Sequence, residues 1–293
     1  MSNTRKLFRV ALVLTLGAGI ASPSSAATIS EVTWQDRVNF KIETAMGTFY
    51  WESAPNRSGF MSFVDKDGWD WIQSDYGLKK APYRGFPNTI DRWGHPSEDN
   101  GTAYNKVIGP KSGKHLIIES EKPGSIKARV HVFETHMAME VLSVKDAPYW
   151  FLYEGTPGGD FNSKKYVLPD GSELSPKPWC GVSDWPADGN GEWFYIVGKN
   201  SKVRLWFAHT PNDDTKSENF SGNATGKQPG MDVLSFGRTC ENNNWTGFLK
   251  GTQHKVMWGF IHDEKMTHAE IQQMIRAIMK NPLKPYRKGA ARR

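Results

Sequence analysis

The sequence predicts an all-β protein, a large antiparallel β-sandwich with one C-terminal helix. Short runs of alternating apolar and polar residues recur almost throughout, and Gly, Pro, Asn and Asp bound them. Only one stretch shows helical periodicity.

Taken in order, VNFKIETAMGTFYWES (38–53) reads as two strands joined at Met46-Gly47. A turn at Ala54-Pro55-Asn56 leads into GFMSFVD (59–65), and Asp67-Gly68 makes a tight turn. Further strands are expected at 114–121, 128–144, 149–155, 192–198, 203–210, 231–238 and 254–262. The run 128–144 reads as one long strand, and the short turn at Asp146-Ala147-Pro148 predicts that it pairs with 149–154 as a hairpin. The helix is expected over 267–282, with Thr267 as its cap, Ile271, Met274, Ile275 and Ile278 on one face, and Pro282 ending it.

The N-terminus has Arg5, Lys6 and Arg9, then an apolar stretch from Val10 to Ile20, then small residues up to Ala27. That pattern predicts a signal peptide over 1–27, since the apolar stretch is too short to span a bilayer, and a secreted or periplasmic location. Residues 28–283 are expected to form a single β-sandwich domain, followed by a basic tail over 284–293. Of the 37 Lys and Arg residues, three lie in the leader and five in that tail, leaving 29 against 31 acids in the body. A near-neutral body argues against a nucleic-acid partner. Cys180 and Cys240 either pair, closing a loop of about 60 residues worth roughly 4 kcal/mol in the chain-entropy account, or remain separate.

Twelve Trp, nine Tyr and fifteen Phe suit an aromatic core. Trp69, Trp71, Trp93, Trp179 and Trp185 lie outside alternating runs and suit sugar-ring platforms. On 128–144, parity places Phe133, Met137, Met139 and Val141 on a core face with Thr135. The opposite face carries Glu134, His136, Ala138 and Glu140, a polar floor. Glu154 ends the apolar run YWFLYE before Gly-Thr-Pro-Gly-Gly, where it either pairs with Arg129 across the hairpin or faces His136 for acid/base work. The aromatic loop 81–96 is expected to be neither strand nor helix. It holds Tyr83, Arg84, Asn88, Trp93 and His95, whose planar donors and rings suit hydroxyl or carboxylate recognition. Arg238 is an anion clamp or a strand-end charge. His209 with Asp213 and Asp214 shows only three possible ligands and no completing loop, so a bound calcium lacks support and no cofactor is expected.

There is no GxSxG elbow, P-loop, HExxH or dinucleotide fingerprint. Serine hydrolase, NTPase and zinc-protease chemistry therefore lack their parts.

The run FKIETAMGTFYWESAPNRSGFMSFVDKDGWDWI (40–72) resembles the opening of galactose-mutarotase-like β-supersandwich carbohydrate-active proteins. YRGFPN, ETHMAM, LYEGTPGG and MDVLSFGR are similar to phrases of secreted bacterial proteins of unassigned function. The first resemblance implies a sugar ligand on a concave sheet with a His and a Glu in acid/base roles, matched here by His136 and Glu154. The function expected is a carbohydrate-active enzyme acting on a polysaccharide or oligosaccharide. As a lyase, Arg84 and Asn88 would neutralise a uronate while His136 or Tyr83 takes the proton. As a glycosidase, Glu154 would be the acid and Glu134 or Glu140 its partner. A glycan-binding module, or a sugar epimerase with a pocket closed around one ring, are the alternatives.

Overall fold

The computed structural model describes residues 26–73, 84–89, 103–155, 165–174, 180, 182–184, 191–198, 201–211, 217–221, 231–242 and 244–287. The strands are β1 (Ala27–Trp34), β2 (Arg37–Thr44), β3 (Gly47–Glu52), β4 (Gly59–Asp65), β5 (Gly85–Asn88), β6 (Tyr104–Ile108) and β7 (Ser112–Gly113). They continue as β8 (His115–Lys122), β9 (Ile126–Phe133), β10 (Met137–Val144), β11 (Phe151–Gly155), β12 (Lys165–Val167), β13 (Glu173–Leu174) and β14 (Val182–Asp184). The last are β15 (Glu192–Val197), β16 (Arg204–Thr210), β17 (Ser217–Ser221), β18 (Asp232–Phe236), β19 (Arg238–Glu241), β20 (Asn244–Gly247) and β21 (Lys255–Ile261). One helix, α1 (His268–Lys280), follows.

Two large antiparallel sheets pack face to face. One has ten strands in the order β14-β17-β18-β11-β5-β4-β3-β2-β1-β7, and the other nine, β13-β12-β15-β16-β21-β10-β9-β8-β6. Strands β19 and β20 pair separately as a hairpin. Alternation along β2, β3 and β4 turns Ile42, Phe49 and Phe63 into one interior row, in register across the strands. Facing them, Trp258 of β21 meets Phe60 at 5.5 Å and Phe86 at 4.9 Å between ring centres, both edge-on.

Helix α1 begins where expected. Thr267 accepts from the Glu270 backbone and Glu270 reaches back to the Thr267 backbone, a complete capping box. Ile271, Ile275, Ile278 and Met279 are buried against Trp193, Trp206 and Met257 on the outer face of the nine-stranded sheet. Helix, nine-stranded sheet and ten-stranded sheet thus form three layers. No helix among the described residues is long and apolar enough to cross a membrane.

The segment VDKDGWDWI is built around two carboxylates. Asp65 accepts from the backbones of Asp67 (2.9 Å) and Trp69 (3.0 Å), from Trp71 Nε1 (2.8 Å) and from Ser201 Oγ (2.7 Å). Asp70 accepts from Ser62 Oγ (2.6 Å) and the backbones of Phe63 and Ile72 (both 3.0 Å), and burial holds its carboxyl above the usual range. Trp71, expected as a sugar platform, is core instead, because its indole N–H is satisfied inside by Asp65. Trp69 is 36% exposed; Trp93, Trp179 and Trp185 lie outside the described residues.

Three expectations about connectivity are corrected. The run 128–144 is not one strand: it turns at Glu134-Thr135, and β9 and β10 fold back on each other. The hairpin between that run and 149–154 does not form. Strand β11 lies in the other sheet, between β5 and β18. Residues 85–88 of the loop expected to lack regular structure add a strand to the ten-stranded sheet. Cys180 and Cys240 are joined as a disulfide, with Cα atoms 5.3 Å apart.

Candidate functional site

Strand β11 carries the site because its two faces have different neighbours. Phe151 and Tyr153 point into the main core, whereas Leu152 packs with Trp150 and Val233 in a separate cluster on the outer face of the ten-stranded sheet. Glu154 shares the parity of Leu152 and is 4% exposed. Asn88 of β5, opposite Leu152, is fully buried and its Nδ2 donates a hydrogen bond to Glu154 Oε2. A neutral amide therefore orients the carboxylate without neutralising it.

Arg238 reaches the same face from β19. Gly237, at φ +81°, breaks MDVLSFGR into β18 and β19; a Cβ there would lie 2.1 Å from the Leu249 side chain. The guanidinium carbon lies 3.9 Å from the Trp245 ring centre and 5.3 Å from that of Trp150. The hairpin can approach Trp150 this closely because Gly247 has no Cβ, which would sit 2.4 Å from the indole. The Cys180–Cys240 disulfide ties down the strand that carries Arg238. Arg238 is 2% exposed, and its Nε and Nη1 have no hydrogen-bond partner among the described residues. Burial pushes its pKa down to about 10, with the Glu154 charge acting in the opposite direction. Arg84, at the start of β5, is buried and donates to the Gln73 carbonyl at 3.2 Å.

The structure brings Glu154 and Asn88 into contact and places Arg238 on the same sheet face, over Trp150, with Arg84 next to Gly85, the residue opposite Glu154. It separates the others. His136 lies in the turn between β9 and β10, fully buried; Nε2 meets the Pro282 carbonyl at 3.1 Å and Nδ1 meets Thr135 Oγ1 at 3.2 Å. Burial pushes its pKa down to about 4. It is therefore no part of a polar floor shared with Glu154; it docks the end of α1 onto the nine-stranded sheet. Glu134 shares that turn and Glu140 lies on β10, so neither is in the sheet that carries Glu154. Arg129 pairs with Glu119 (2.8 and 2.9 Å), the alternative expected for Glu154 being excluded by sheet membership. Tyr83, Trp93 and His95, with Asp213 and Asp214, lie outside the described residues.

His209 faces the interior between the sheets. Its Nδ1 meets Glu192 Oε2 at 3.0 Å and its Nε2 meets His254 Nδ1 at 3.1 Å. A similar chain runs on the outer face of the nine-stranded sheet, from Glu140 Oε1 to His131 Nε2 (3.0 Å) and from His131 Nδ1 to His115 Nε2 (2.9 Å). No group of three or more potential metal ligands gathers among the described residues. Trp150 and Trp245 are not among the residues that the sequence marks as candidates. Parity along YWFLYEG places Trp150 on the Glu154 face, a legible signal; nothing local marks Trp245.

No family model and no curated protein matches the chain. Solved structures similar to it include the protein HI1317, at 13% identity and a TM-score of 0.49, covering 82% of this chain and 97% of that one. Another is a galactose mutarotase related enzyme from Lactobacillus acidophilus, at 8% identity and a TM-score of 0.41, covering 76% and 97%. A third is a GalM/aldose epimerase homologue from C. elegans, at 9% identity and a TM-score of 0.32, covering 81% and 99%.

Proposed function

We propose that the chain is a carbohydrate-active enzyme of the sugar-epimerase kind, working outside the cytoplasm, with Glu154 as its proton acceptor. The observation that carries this reading is a buried polar cluster on one sheet face: Glu154, Asn88 and Arg238 are 4%, 0% and 2% exposed. A few converging polar groups beside aromatic rings suit recognition of a small ligand such as one sugar ring. A two-carboxylate glycosidase needs its acids about 5–9.5 Å apart across one bond, and the expected partners Glu134 and Glu140 belong to the other sheet. A lyase base at His136 is disfavoured by its burial and its bond to Pro282. In this reading Glu154 takes a proton from the sugar and gives it back to the sugar as the new isomer forms, Asn88 holds the carboxylate in position, and Arg238 with Trp245 and Trp150 binds the ring and its oxygens. The location rests on the signal-peptide pattern expected over 1–27.

The test is NMR of a panel of aldoses, following interconversion of anomers and epimers with purified protein. Accelerated interconversion is expected, and Glu154→Gln should lower it by about 10²- to 10⁴-fold. Growth of absorbance at 235 nm on a polysaccharide, without interconversion of any sugar, would replace this reading by elimination.

A further inference from the structure

The C-terminal end of the chain is charged unlike the rest of it. Residues 271–293 contain seven Lys and Arg and no acid, whereas residues 28–270 contain the remaining 27 against all 31 acids. The described part of this segment is shaped as well as charged. A cavity of about 430 Å³ opens at the end of α1, with Lys280, Asn281, Lys284, Tyr286 and Arg287 in its walls. A second, of about 520 Å³, adjoins it along the helix and is lined by Thr210, Arg276, Met279 and Lys280. Lys280 and Ala277 line both, so the groove consists of two hollows that share a wall. Arg276 and Lys280 are four residues apart, hence on one helix face at about 6 Å spacing, and Lys284 and Arg287 extend the row past the last turn. Lys280, Lys284 and Arg287 form no ion pair among the described residues.

We propose that this groove binds an acidic polysaccharide, at a site separate from Glu154. A row of cations along concave walls suits a chain with repeated anionic groups, which gains from each contact and loses counterions on binding. A lipid surface is a poorer fit. The large apolar side chains exposed among the described residues are Val38, Trp69 and Tyr104, none of them in this segment. Tyr286, the aromatic residue of the groove, packs against the buried face of α1 and so stiffens a wall instead of projecting. The inference stands on the groove alone and does not need the acid/base reading of Glu154.

The experiment uses the full chain with polygalacturonate as the probe and neutral dextran as its counterpart, read by affinity electrophoresis and calorimetry at rising salt. Retention by polygalacturonate, none by dextran, and steep weakening with salt are expected. The triple variant Lys280→Glu, Lys284→Glu, Arg287→Glu should bind at least about tenfold more weakly while its unfolding midpoint stays near that of the parent. Glu154→Gln should bind as the parent does, whatever happens to its activity. Equal affinity for dextran, an unaffected triple variant, or binding only to anionic phosphatidylglycerol vesicles or to duplex DNA would overturn the proposal.

Discussion

Two chains of one carboxylate and two imidazoles run through this molecule, and they differ in what lies at their ends. Both are ordered by the same rule. A carboxylate only accepts, so the nearer imidazole donates to it and must accept from the farther one. In the interior chain Gln253 Nε2 then donates to His254 Nε2 at 3.1 Å, His254 to His209, and His209 to Glu192. Glu192, His209 and His254 are 1%, 0% and 5% exposed, and Phe236 stacks on His209 at 5.5 Å. In the outer chain His115 donates to His131 and His131 to Glu140, but His115 is exposed and rests on Phe133, 4.6 Å between ring centres. Equal bonds have unequal worth: water can replace a partner at exposed His115 in the second chain, whereas in the first it meets only the outer end, Gln253, and Glu192 and His209 are buried.

Cutting each chain at its carboxylate tests this directly. Glu192→Ala should lower stability by about 1–3 kcal/mol in urea unfolding, because a buried imidazole N–H is left without an acceptor. A loss under 1 kcal/mol would show that the interior chain is wet. The pH dependence comes next. Burial, then His209, pushes the His254 pKa from 6.5 down to about 4, so the unfolded chain binds its proton first as pH falls. Stability should therefore decline between about pH 6.5 and 4 and gain no further loss from this group below that. A drop of that size corresponds to on the order of 3 kcal/mol, with buried His136 acting in the same direction. Unfolding measured at pH 7, 5.5 and 4 gives the curve; a flat profile would contradict the burial of both rings. Burial, then His131, also lowers the His115 pKa, but its exposure makes its share small. The smallest effect is expected for Glu140→Ala, about 1 kcal/mol or less, and a loss as large as that of Glu192→Ala would erase the distinction.

The same contrast separates two carboxylates that are equally buried. Glu119 and Glu154 are both 4% exposed. Lys106, Lys127 and Arg129 surround Glu119 at 2.8–3.2 Å and, against the opposing effect of burial, hold its pKa down to about 2. That is a structural hub. Glu154 instead takes an amide hydrogen from Asn88, with a stacked guanidinium on the same face. Burial alone does not tell these two environments apart, and the sequence offers both residues as an acid in a strand.

Much of the fold was legible because its signals are local. The turn and alternation of 38–53, the strand 59–65 and the capped helix at Thr267 all appear close to where the pattern places them. The site was legible in part. Glu154, Asn88 and Arg238 stood out as residues, but Asn88 is 66 positions from Glu154. The short turn after 144 made a local hairpin the natural expectation, whereas β11 pairs with β5 and β18.

By itself the sequence determined what depends on neighbours a few residues away: which runs are extended, which faces are apolar, where the helix is capped, and where charge collects. The tertiary structure alone decided which strands share a sheet, and hence that His136 holds the end of α1 while Glu154 meets Asn88 on the sheet face that Arg238 also reaches. The physical reason is that side-chain alternation assigns a residue to a face, but not that face to a sheet. Strand pairing is settled by burial and hydrogen bonding between segments far apart in the chain, where one local pattern is compatible with several partners.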